Sequence, residues 1–441
     1  MSSVYLNSNE YLPFSRLDKI YITLLASSGV GKTTFICAMD RVRDALSRGG
    51  GIELERDTKK SVGSMELITY DKNRNEYCEV VPLDNMWGNE VTTDVYMDTG
   101  NDYSPNTIYT SNFDRSMLKP LRSTDDTSVF TYKLKVRGEG TADEVEVSLL
   151  DYSGGNIGLG ETYKCIRKRL QQSFVVIVPI DAVCVVEYVR QKRLGNEDKC
   201  FELIYQLGYK VMPHINDWLQ NCFEAKANGV LFLVPVKCES FLDKGAGGEK
   251  ELLEAVREVY FDLNSDGFET APTVVDQFTK CYSDLQDKKT GREYRKFIRN
   301  HVKVFYIPVK TYGRVFLTGK GIDNLERFWQ NGKFTPTFVT RKGVHGEVSG
   351  TLDIVKQIIL ERADALNTAI KAAKGLKYYL LHFGGHATFV KKHIQISDKL
   401  RKAVEQMKRP SFEEFQWPTD EELEAVKREV GSAEVDADKE S

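Results

Sequence analysis

The stretch YITLLASSGVGKTTF, residues 21–35, sets an apolar run directly against a loop of Ser and Gly that ends in Gly31-Lys32-Thr33. A strand feeding a loop that opens a helix presents successive backbone N–H groups to an anion at the positive end of that helix. The spacing therefore predicts a phosphate cradle made by Ser28, Gly29, Val30, Gly31, Lys32, Thr33 and Thr34. Gly29 and Gly31 allow close backbone approach, Lys32 reaches β- and γ-phosphates as a point charge, and the Thr33 hydroxyl can ligate Mg²⁺. Ala26 occupies the place of the motif's usual first Gly, where a small residue is needed but positive φ is not. The competing reading is an ordinary Gly/Ser turn, and the agreement of strand, loop, Lys-Thr and helix favours the cradle.

The chain around this loop is 441 residues long, enough for two or three domains. Its 61 basic and 64 acidic residues leave a net charge of −3, so no global field draws it to nucleic acid or to an anionic membrane. Eight cysteines show neither a CxxC pair nor zinc spacing and read as core thiols in a reducing compartment. The opening MSSVYLNSNEYLPFSRLDK lacks a basic start followed by an apolar stretch, and no later run is long enough to span a bilayer. A cytoplasmic location with no membrane span is expected.

Residues 129–155, VFTYKLKVRGEGTADEVEVSLLDYSGG, read as a hairpin. Phe130, Tyr132, Leu134 and Val136 alternate with polar residues, GEGTADE turns the chain, and Val145, Val147 and Leu149 resume the alternation. The second strand ends at Asp151, a place from which a carboxylate can hold Mg²⁺ beside a phosphate loop. Many P-loop ATPases put a second acid next, whereas here Tyr152 follows and the chain reads Asp151-Tyr152-Ser153-Gly154.

This DxxG, downstream of the phosphate loop, resembles the γ-phosphate sensor of the P-loop GTPases, the Ras-like and bacterial GTPase-type NTPases. The resemblance implies an α/β, three-layer P-loop NTPase fold with a mostly parallel sheet and one antiparallel edge strand. It implies that Thr33 and Asp151 hold Mg²⁺, that the Gly154 N–H touches the γ-phosphate, and that an upstream Thr reaches both. Ser123, Thr124 and Thr127 are candidates for that Thr, and Thr124 is favoured. Ras-like proteins orient the attacking water with a Gln after DxxG, but here Gly155 and Asn156 follow. Slow hydrolysis is therefore expected, or hydrolysis completed by a residue from elsewhere.

Three apolar runs, FVVIVPID at 174–181, VLFLVPVKCES at 230–240 and VFYIPVKTYG at 304–313, each close on Pro and one more apolar residue. They read as parallel strands ending at the sheet edge where doubly wound folds bind ligands. Lys237 and Glu239 stand where the resembling family carries its guanine-reading NKxD, with Val236 for Asn and Glu239 for Asp. Thr311, in Lys310-Thr311-Tyr312, occupies the place of the small polar loop that supports the base. The resemblance spans residues 17–332 with breaks and is strongest at the first motif. It implies GTP or ATP as ligand.

Residues 49–120 read as an insertion, either one beside the nucleotide that senses it or a decorated surface loop. Asp262, Asn264, Asp266 and Gly267 match part of a calcium loop, but Thr273 replaces its final Glu and the segment reads as a turn. His382 and His386 flank a Gly pair without an acid and read as packing residues. Residues 333–430 are expected to form a helical domain, with Leu352, Val355, Ile359, Leu366, Ile370 and Ala373 on one face, and residues 431–441 an acidic disordered tail. The sequence thus points to a nucleotide-dependent switch, a slow Mg²⁺-dependent GTPase acting on a protein partner through the C-terminal helices or the insertion. A P-loop ATPase and a nucleotide-binding scaffold with little turnover stay open as alternatives.

Overall fold

The computed structural model describes residues 19–27, 51–56, 128–138, 144–152, 160–207, 211–236, 238–242, 245–262, 273–280, 288–309, 350–372 and 385–425, with short pieces at 5–6, 10–11, 30, 32, 35, 46–47, 49, 93–95, 313–317 and 338–340. Eight strands form the main sheet: β1 Lys19–Leu24, β2 Ile52–Arg56, β3 Ser128–Val136, β4 Val145–Asp151, β5 Val175–Asp181, β6 Gly229–Val236, β7 Val302–Tyr306 and β8 Glu413–Phe415. Their order is β8-β7-β6-β5-β1-β4-β3-β2. The run from β7 to β4 is parallel throughout, which places all five carboxyl ends at one edge.

Antiparallel pairing occurs on both flanks, which corrects the expectation of a single antiparallel edge strand. The predicted hairpin is present, Phe130 lying opposite Leu149 and Ser128 opposite Asp151. Its outer strand β3 is not an edge, because β2 pairs antiparallel along it. Strand β2 comes from the start of the expected insertion. Ile52 and Leu54 are buried while Glu53 faces Lys135 at 3.3 Å, so IELER is a half-buried strand of two periods. At the other flank β8 pairs antiparallel with β7.

The central strands are buried on both faces, and their side chains divide by parity. Val176, Val178 and Ile180 of β5 enter one core, with Leu231, Leu233, Val302 and Val304. Val175 and Ile177 enter the other, with Ile20, Ile22, Leu24, Phe232 and Phe305.

Among the helices that carry residues into the first core are α1 Gly160–Leu170, α2 Ala182–Arg193, α3 Glu197–Leu207, α4 Met212–Glu224, α5 Ala246–Val256, α6 Val274–Lys280 and α7 Lys288–His301. Trp218 of α4 is fully buried and donates its indole N–H to the Ser173 carbonyl at 3.0 Å, just before β5. Arg169 of α1 donates to the Ser148 carbonyl of β4 at 2.8 Å, and burial lowers its pKa to about 10.

The second core is covered by α8 Thr351–Ala372 and α9 Gly385–Glu405. Ile354, Ile358, Leu366, Ile396 and Leu400 pack with Ile20, Val175 and Phe232 of the sheet. The C-terminal helices, expected as a domain of their own, are thus the third layer of the same α/β unit. On the expected apolar face of α8, Val355, Ile359 and Leu366 are buried and Leu352 packs partly against the same core. The Ile370 side chain, Ala373 and residues 431–441 lie outside the described residues. Gly350 fixes where α8 starts, because its φ is +83° and a Cβ there would lie 2.2 Å from the Pro308 carbonyl oxygen after β7. Only glycine permits that approach.

The interface of α8 and α9 contains a buried histidine. Arg362 donates to Nδ1 of His393 at 3.3 Å, and burial, with Arg362 and Lys392 nearby, lowers the His393 pKa from 6.5 to about 4. The unfolded chain therefore takes up this proton first as pH falls, and stability declines from about pH 6.5 towards 4. The expected contribution, reduced for partial solvent screening, is on the order of 2 kcal/mol. Urea midpoints for wild type and His393→Gln across this range should converge as pH falls, and parallel curves would contradict the placement.

Candidate functional site

Strand β1 lies between β4 and β5, the most enclosed position in the sheet. Beyond its last residue the Leu25 N–H still donates to the Ile177 carbonyl of β5 at 2.8 Å. The Ala26 N–H then donates to the Tyr152 hydroxyl oxygen at 3.2 Å. The chain turns back so that the Lys32 ammonium donates to the carbonyls of Ala26 and Ser27, each at 3.0 Å. Lys32 is helical and buried, and its ammonium stands 5.2 Å from the centre of the Tyr152 ring. Val30 is buried between, and Phe35 anchors the helical start in the second core. A loop that closes on itself in this way holds a fixed cation at the carboxyl edge.

The neighbouring strands bring further polar positions to that edge. Thr23 pairs with Leu150, so Asp151 at the end of β4 is level with Leu24. Asp181 ends β5 beside Val236 of β6, and its carboxylate accepts from the N–H groups of Val183 and Cys184, capping α2. Glu239 opens a single helical turn, Glu239–Leu242, after β6. Between Lys237 and Glu239, the buried Cys238 thiol donates to the Val309 carbonyl at 3.3 Å and ties the end of β6 to the chain beyond β7.

Of the predicted site residues, Val30 and Lys32 are described with their side chains. Asp151 and Glu239 are described as backbone, with their side chains outside the described residues. Ser28, Gly29, Gly31, Thr33, Thr34, Thr124, Gly154, Lys237 and Thr311 lie outside them altogether. Tyr152, Asp181 and Cys238, which lie within the quoted strand ends, have no role in the sequence reading. Asp181 had a signal, since an acid between an apolar strand and AVCVVEYV is a helix-cap pattern.

Of the set-aside calcium-like segment, Asn264, Asp266 and Gly267 lie outside the described residues. Thr273, at its end, caps α6, its hydroxyl accepting from the Asp276 N–H while its own N–H donates to the Asp276 carboxylate. The side chains of His382 and His386 lie outside the described residues. Among the described residues no group of three His, Cys, Asp or Glu side chains could hold a metal. A phosphate-bound Mg²⁺ needs fewer protein ligands than that, taking one or two with phosphates and waters. The backbone position of Asp151 at the strand beside the loop fits that demand.

A cavity of about 400 Å³ opens at the opposite, amino end of the strands, between Gly229, His301, Lys303 and the α8 residues Glu361 and Asp364. Its charges pair internally, Lys303 with Glu361 at 2.9 Å and Arg401 with Asp364 at 2.7 Å. At the carboxyl edge, by contrast, the Lys32 ammonium rests on the Ala26 and Ser27 carbonyls. The likeness to the P-loop GTPases rests on the motifs alone, since no protein-family model and no curated protein matches the chain.

The placement of Lys32 is open to chemical test. Amine acylation followed by mass spectrometry should modify Lys32 at least tenfold more slowly than Lys250, whose side chain is 75% exposed. Equal rates would contradict the closed loop.

Proposed function

We propose that the chain is a nucleoside-triphosphate-binding switch of the P-loop GTPase type, a slow Mg²⁺-dependent GTPase of the cytoplasm that signals to a protein partner. The observation that carries this reading is the closed turn after β1, in which the Lys32 ammonium is held on the Ala26 and Ser27 carbonyls. A lysine kept at the carboxyl end of a central parallel strand is suited to phosphate, because ligands of open α/β sheets bind outside those ends. The backbone position of Asp151, one strand away, supports the same reading.

In this proposal Lys32 neutralises charge that develops on the β- and γ-phosphates. Thr33 and Asp151 would hold Mg²⁺, which when bound supplies charge neutralisation and orients the γ-phosphate. The Gly154 N–H reads the γ-phosphate and Thr124 closes over it, so loss of that phosphate releases both segments. Lys237 and Glu239 take the base, Glu239 accepting from guanine N1 and N2, and Thr311 supports it from the next strand. The missing Gln after DxxG makes turnover slow. The partner would be engaged by the C-terminal helices or by the segment within 49–120, as an ordered or released loop changes their neighbours. Among the described residues no helix is long and apolar enough to cross a membrane.

Titration with Mg²⁺ and either GTP or ATP tests the assignment. Wild type should prefer GTP, Lys32→Ala should lose triphosphate binding while keeping its circular-dichroism spectrum, and Glu239→Ala should lose about 1–3 kcal/mol of GTP binding with its preference. Equal or tighter ATP binding would turn the reading to an ATPase, and single-turnover assays without product would turn it to a scaffold.

A further inference from the structure

The cavity at the amino end of the strands is lined by charges that the nucleotide reading does not use. Two ion pairs meet there on α8. The Lys303 ammonium of β7 lies 3.0 and 2.9 Å from the two carboxylate oxygens of Glu361, one of which also accepts from the Gln357 amide at 2.8 Å. The Arg401 guanidinium of α9 donates through Nη1 to Asp364 Oδ1 at 2.7 Å and through Nε to Glu405 at 2.9 Å.

These pairs leave hydrogen-bonding capacity at groups of both signs. A guanidinium has five N–H donors and a carboxylate two acceptor oxygens. Among the described residues, Nη2 of Arg401 and Oδ2 of Asp364 have no hydrogen-bond partner. The two side chains are 35% and 49% exposed, so a ligand can reach these atoms without breaking the pair. Glu361 and Asp364 are three residues apart on one helix, which puts their Cα atoms about 4.5 Å apart along its axis and their side chains on one face. Burial raises the Glu361 pKa, Lys303 opposes that rise, and the Asp364 charge adds to it. A cation between the two carboxylates relieves their repulsion. An anion alone would face the same two carboxylates, and a cation alone would leave Nη2 of Arg401 unused. A molecule with one charge of each sign meets both demands.

The rest of the wall sets the ligand's size and its remaining chemistry. The volume of about 400 Å³ lies within the roughly 300–1,000 Å³ of small-molecule pockets. Phe174 and Ala365 give an apolar patch, and the Asn300 and Asn367 amides can each donate and accept. His301 also lines the cavity; burial, with Lys226 nearby, lowers its pKa from 6.5, so it is neutral at pH 7 and adds no charge. We propose that this cavity is a second ligand site, for a free α-amino acid with an uncharged hydrogen-bonding side chain, its ammonium between Glu361 and Asp364 and its carboxylate on Arg401. The assignment stands apart from the nucleotide reading. Such a ligand ties α8 and α9 to the amino ends of β6 and β7.

The test is calorimetric titration of the full-length chain without nucleotide. L-Glutamine is the probe, compared with glutaramate, which lacks the ammonium, and with 4-aminobutanamide, which lacks the carboxylate. L-Glutamine should bind at least tenfold more tightly than either, and hydrogen exchange should slow at residues 229–230 and 361–368. Asp364→Asn and Arg401→Gln should each lower its affinity at least fivefold with an unchanged circular-dichroism spectrum. Should a variant unfold, the analogue comparison and the exchange map of wild type still decide. No binding at millimolar L-glutamine, equal binding of either analogue, or protection at the carboxyl edge in place of the cavity would overturn the assignment.

Discussion

Burial of the parallel strands on both faces is the constraint from which the remaining architecture follows. Alternate residues of β5 and β6 enter two different cores, so neither strand can offer a polar side chain along its length without leaving it among apolar neighbours. On the neighbouring β1 the buried Thr23 hydroxyl meets that of Ser173 at 2.7 Å. Functional groups are therefore driven to the strand ends, where the chain leaves the sheet. Both faces must also be roofed. Helices α1 to α7 cover one, and α8 with α9 cover the other, which explains why these two C-terminal helices pack on the same sheet.

The two ends of the sheet differ in their electrostatics. At the amino end Lys303, Arg401, Glu361 and Asp364 satisfy one another around a cavity. At the carboxyl end Lys32 is held by carbonyl dipoles. Asp181 is spent on capping α2, and Cys238 joins two neighbouring strand ends. The carboxyl edge is thus built from short, mutually braced connections. Bracing of that kind is what a site for a polyanion needs, because a lysine free to swing would lose entropy on every binding event.

Much of this was legible in the sequence because period and punctuation are local properties. The alternation of the hairpin and the three apolar runs closed by proline each announce an element without reference to distant residues. What escaped depends on distant partners. IELER is too short for its alternation to stand out, and only pairing with β3 makes it a strand. The apolar face of α8 was visible, but nothing within the helix says that it packs on Ile20 and Phe232. In the same way Tyr152 reads as a mere departure from an acid, since its meaning lies in an amide 126 residues earlier.

Hydrogen exchange along the whole chain, with and without Mg²⁺ and a non-hydrolysable GTP analogue, tests the central claim most directly. The account predicts protection concentrated in residues 24–35 and in the segments around 120–128 and 151–160, with no change at the amino-end cavity around Gly229 and Asp364. Protection confined to that cavity, or none at saturating analogue, would contradict it.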